Sequence, residues 1–202
     1  MGCMVSSASS GEPAKLHKTV WFMGCAASGK SWSADFCGKY HDWIHIDGDH
    51  ELTRTDPKKV DMWDGICDTF ETIFANKQPT EAMYGPYVLD LIKKAADARA
   101  ANPDKTVVVA FAVYKKAMRD FVRKNSKEPV SFANFMVDKP EFLRRQMKRT
   151  EKDCETYGLT KEAAWVEWGL DQEIGAYGEG CWDKMFLKND IFSGFENFRK
   201  DE

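Results

Sequence analysis

A three-layer α/β fold, with a parallel sheet covered by helices on both faces, is what this sequence predicts from three observations. The run KTVVVAFAV at 105–113 is apolar without a break, as expected of a central parallel strand buried on both sides. The run KTVWFMG at 18–24 is β-branched and aromatic, and it ends on a glycine that opens a glycine-rich loop. Helical spacing and strand-like runs then alternate along the chain, which is the pattern of βαβ units.

The elements follow in order. VSSASSGEPA at 5–14 is small, polar and aperiodic, so residues 1–17 are expected to be a flexible tail and 18–202 one domain. After the first strand and its loop, 31–40 reads as a helix and DWIHID at 42–47 as a second strand. From Pro57 onward Val60, Trp63, Ile66, Cys67, Phe70, Ile73 and Phe74 recur at helical spacing. Pro86 is expected to open the next helix, whose apolar stripe is Val88, Leu89, Ile92, Ala95 and Ala96. Beyond the strand at 105–113, KKAMRDFVRK reads as a basic amphipathic helix and VSFANFMVD at 130–138 as another strand. KPEFLRRQMKRTEKDCE from 139 is a helix rich in Arg and Lys. A helix over 160–177, with Thr160 as its N-cap and Trp165 and Trp168 on a buried stripe, precedes a last edge strand at 182–190.

Composition narrows the function classes. The chain has 202 residues, 43% hydrophobic and 30% charged, which suits one globular domain. Its formal net charge is −3, and no long basic or aromatic strip is present, so nucleic acid is not an expected partner. No apolar run approaches the roughly 20 residues that span a bilayer. The six cysteines form no C-x-x-C pair and match no zinc spacing, which points to free thiols in a reducing compartment and a cytoplasmic protein.

The chemistry starts at GCAASGKS, residues 24–31, which has the spacing G-x-x-x-x-G-K-S between a strand and a helix. Such a loop turns backbone N–H groups inward as an anion nest at a helix N-terminus. Gly24, Cys25, Ala26, Ala27, Ser28, Gly29, Lys30, Ser31 and Trp32 are therefore the candidate nucleotide-binding residues. Lys30 is expected to reach the β- and γ-phosphates and to be solvated until nucleotide arrives. Ser31 is expected to offer its hydroxyl to Mg²⁺. The expected cofactors are ATP and Mg²⁺.

HIDGDH at 45–50 places two carboxylates at the end of a strand beside that loop, where open α/β sheets bind ligands. Asp47 is a candidate metal and substrate ligand. Asp49 is the candidate acceptor of a substrate hydroxyl proton, and His50 a further substrate contact. Phosphoryl transfer to an alcohol needs such a group to position the nucleophile, with cations to neutralise the moving charge.

The loop MGCAASGKS, the DGD turn and VVVAFAVYKKAMRDFVR together resemble the gluconokinase branch of the small P-loop kinases, and more distantly shikimate and adenylylsulfate kinases. The resemblance covers about residues 19–150. It implies a P-loop kinase fold with a basic lid, a small hydroxylated substrate such as a sugar acid or polyol, and a homodimer. It also implies substrate-binding roles for Lys115 and Arg119 and catalytic roles for the lid pair Arg145 and Arg149, beside Lys30 and Asp49. The sequence departs from the branch in two places. TEKDCE replaces the Gly-His-Phe segment after the lid arginines, and no counterpart of P-L-x-D-x-D-R-x-P-W occurs. A nucleotide-binding regulatory protein without transfer is therefore a second reading. Separately, MGCMVS fits M-G-x-x-x-[ST], so acylation at Gly2 and Cys3 would bring the protein to a membrane surface.

Overall fold

The computed structural model describes residues 17–24, 27–49, 60–75 and 77–135, and further on 137, 138, 140, 141, 144, 145 and 148. The tail with Gly2 and Cys3, the residues Cys25, Ala26, His50 and Arg149, and the expected elements over 160–177 and 182–190 lie outside the described residues.

The order is β1 Thr19–Gly24, α1 Lys30–His41, β2 Ile44–Asp47, α2 Val60–Phe74, α3 Glu81–Ala101, β3 Val107–Ala110, α4 Lys116–Asn125 and β4 Val130–Phe135. The strands form one sheet in the order β2-β3-β1-β4, and every pairing is parallel. The predicted α/β architecture is the observed one.

Strand alternation sends neighbouring side chains to opposite faces, and the two faces are built differently. Trp21, Met23, Val107 and Val109 point to one face. There they meet Tyr84, Tyr87, Val88 and Leu91 of α3, Met118 and Val122 of α4, and Ile66 and Ile73 of α2. Val20, Phe22, Val108 and Ala110 point to the other face and are covered by Ala34 and Cys37 of α1. Burying each of the larger side chains contributes on the order of 2 kcal/mol. Cys37 and Cys67 are free thiols, as the cysteine spacing predicts. No described helix is long and apolar enough to cross a membrane.

Two elements differ from expectation. The strand read as 105–113 is only Val107–Ala110. Beyond Ala110 its β2 neighbour turns away at Gly48, so the ladder loses a partner, yet Phe111, Ala112, Val113 and Tyr114 remain buried. An apolar run reports burial, and a buried segment outside a sheet gives the same signal. The helix expected to open at Pro86 instead starts at Glu81 after Thr80, and Pro86 lies inside it. The proline is exposed, while Tyr84, Tyr87, Val88 and Leu91 are buried around it. Packing of that face outweighs the one backbone hydrogen bond the proline removes.

Candidate functional site

In a parallel sheet every strand delivers its carboxyl end to the same edge. Here that edge receives the glycine-rich loop from β1, the turn at 47–49 from β2, the segment 111–115 from β3 and, after β4, Arg145, which contacts the loop. Strand order thus brings the described ones among the residues singled out from the sequence to one edge, although they are spread over more than a hundred positions.

The loop is held by backbone geometry that few residues tolerate. Gly24 has φ +144, and a Cβ there would lie 2.7 Å from the Phe135 carbonyl oxygen and 2.8 Å from Ser28 Oγ. Both the left-handed dihedral and the close approach of β4 demand glycine. Ala27 (φ 58) and Gly29 (φ 101) are also left-handed, so the chain coils tightly into α1. The first α1 hydrogen bond runs from the Ser33 N–H to the Gly29 carbonyl at 2.9 Å. The N–H groups of the first turn therefore have no partner within the helix. Gly29 at the N-cap brings no side chain to cap them, and the first turn carries no acidic residue. That combination suits an anion at the positive end of the helix dipole.

Lys30 is buried, 7% exposed, rather than solvated as its motif role suggested. Ser28 is buried too, and its Oγ has no hydrogen-bond partner among the described residues. Ser31 is half-buried beside it. Trp32 is 63% exposed and stacks on Phe36, ring centroids 5.8 Å apart, so only its backbone is placed for a phosphate.

At the end of β2 the two carboxylates divide their work. Asp47 Oδ1 accepts the Asp49 N–H at 3.0 Å and fixes the turn. The Gly48 N–H donates to the Ala110 carbonyl at 3.0 Å, and the Tyr87 hydroxyl donates to the Gly48 carbonyl. A Cβ on Gly48 would lie 2.7 Å from Phe111, so only glycine lets β2 turn this close to the β3 segment. Asp47 is half-buried and Asp49 exposed, an arrangement that suits a ligand group and an acceptor-facing group in that order.

The β3 end differs from expectation at Arg119. Lys115 is the N-cap of α4 and is buried at the carboxyl edge, where a substrate-binding lysine would stand. Arg119, expected to bind substrate, is only 1% exposed, and its guanidinium donates to the Val113 and Tyr114 carbonyls. It braces the segment that leaves the sheet after β3. Arg119→Met, which keeps the aliphatic stem, is expected to lower stability by about 1–3 kcal/mol by orphaning those carbonyls. Urea unfolding midpoints check this. Unchanged stability with a raised acceptor KM would return Arg119 to substrate binding.

Arg145 reaches the loop. Arg145 Nη1 donates to the Ser28 carbonyl at 3.1 Å and the Ala27 carbonyl at 3.4 Å, joining segments 117 and 118 residues apart. Its Nε donates to Glu141 Oε1 at 2.7 Å. Glu141 was not foreseen as a site residue. Hydrogen bonds from Arg144 and then Arg145 hold its carboxyl down at about 2.

The residues present fit a nucleotide triphosphate with Mg²⁺. A nest whose first glycine admits no Cβ, an orphaned buried hydroxyl and a buried lysine suit the phosphates. Ser31 and Asp47 would hold the metal. Among the described residues no group of three His, Cys, Asp or Glu side chains could cage an ion, and Mg²⁺ is ordinarily held by one or two carboxylates plus substrate phosphates.

No protein-family model and no curated protein matches the chain. Among solved structures it is similar to an unliganded sugar kinase from Janibacter sp. HTCC2649, at 18% identity and TM-score 0.45 over 64% of this chain and 66% of that one. It is also similar to a gluconokinase from Sinorhizobium meliloti 1021, at 14% identity and TM-score 0.41 over 90% of this chain and 97% of that one. Both similarities are modest.

Proposed function

We propose that this protein transfers the γ-phosphoryl group of Mg²⁺-bound ATP to a hydroxyl of a small metabolite of the sugar-acid or polyol class. The observation that carries the reading is the convergence of the glycine-rich loop, the Asp47–Asp49 turn and the Arg145 guanidinium at one edge of the sheet. The loop N–H groups and the α1 N-terminus bind the phosphates. Lys30 supplies a positive charge that needs no reorganisation. Bound Mg²⁺ would neutralise phosphate charge. Asp49 takes the proton of the attacking hydroxyl and orients it, and Arg145 stabilises charge on the moving phosphoryl group. The acceptor class is supported by the motifs the sequence shares with the gluconokinase branch and by Lys115 at the carboxyl edge, a fitting partner for an acceptor carboxylate.

ADP release is the test. Purified protein with Mg²⁺ and ATP is expected to release ADP faster when a pool of sugar acids and polyols is added. Tight ATP binding with no acceptor-dependent release would instead favour a nucleotide-dependent regulatory protein.

A further inference from the structure

Resting on the kinase reading above, we infer that Glu141 is a positioning residue that holds the Arg145 guanidinium against the glycine-rich loop before substrates bind. The geometry forms a continuous chain. Asp138 Oδ1 accepts the Glu141 N–H at 2.9 Å, the bond of an N-cap to the third residue of a helical turn. Glu141 then spends both oxygens on arginines. Oε2 accepts Arg144 Nε at 2.6 Å, and Oε1 accepts Arg144 Nη2 and Arg145 Nε, each at 2.7 Å. From Arg145 the chain ends on the Ala27 and Ser28 carbonyls.

The two arginines have different surroundings. The Arg144 side chain is 63% exposed and Arg145 is 18% exposed. Arg144 therefore anchors the carboxylate from the solvent side, and the carboxylate aims Arg145 inward. A long arginine side chain left to itself samples many rotamers, and fixing it in advance removes that cost from the reaction. Because the two guanidiniums keep the Glu141 carboxyl ionised far below working pH, Glu141→Gln removes the charge at nearly constant size.

The test is a double-mutant cycle on the full chain. Glu141→Gln is expected to lower kcat by about 10- to 100-fold, the usual cost of a misplaced catalytic group. Its Kd for Mg·ADP should stay within about twofold of wild type, because Arg145 touches the loop from its carbonyl side. Glu141→Gln combined with Arg145→Gln should be no slower than Arg145→Gln alone, since the carboxylate acts through that arginine. An unchanged kcat, or losses that multiply in the double variant, would overturn the inference. So would a large drop in the thermal midpoint of Glu141→Gln, which would make the residue structural. Wild-type protein that neither binds Mg·ATP nor turns over would sink the kinase reading itself, which is a separate outcome.

Discussion

Lys30→Ala is expected to cost at least about 10³-fold in phosphoryl transfer while the protein stays folded. The lysine is the first residue of α1 and is buried, directly after the left-handed turns at Ala27 and Gly29. Its charge works where water is excluded, so its loss from the transition state is large; removing a single preorganised donor elsewhere costs about 10²–10³-fold. Far-UV circular dichroism and the thermal midpoint check that the variant is folded. Near-normal turnover in a folded variant would remove the nucleotide assignment.

Asp49→Asn is expected to lower kcat by on the order of 10² or more, with little change in the Kd for Mg·ATP. The turn itself survives the change, because Asp47 Oδ1 accepts the backbone N–H of residue 49 and not its side chain. Asparagine keeps the size of the group and loses the ability to take a proton. Single-turnover rates and nucleotide titrations separate the two effects. If ATP affinity collapsed while kcat held, Asp49 would belong to the metal site and the acceptor role would pass to another residue.

Much of this was legible in the sequence because it is local. The spacing from Gly24 to Ser31 specifies a loop whatever surrounds it, and parallel topology follows from alternating elements. What was not legible depends on packing. Nothing in GKS says that Lys30 is enclosed. Arg119 is expected from the resemblance to bind substrate, yet it sits one residue from Met118 and three from Val122, at the border of the buried face. Its guanidinium meets the Val113 and Tyr114 carbonyls, where the chain has already left the sheet. Glu141 had a signal that passed unused. The stretch DKPE at 138–141 matches an N-cap followed by an acidic third position, and Glu141 stands four residues before Arg145. Both are helix signatures, and only the contact of Arg145 with the Ala27 and Ser28 carbonyls turns them into part of a site.

Transfer, as distinct from binding, is read by ³¹P NMR of the protein with Mg²⁺, ATP and the acceptor pool. The γ-phosphorus signal of ATP is expected to decay as a phosphomonoester signal rises in equal amount, and Lys30→Ala is expected to abolish both changes. Decay of ATP into free inorganic phosphate alone, or an unchanged spectrum from protein shown to bind Mg·ATP, would rule transfer out.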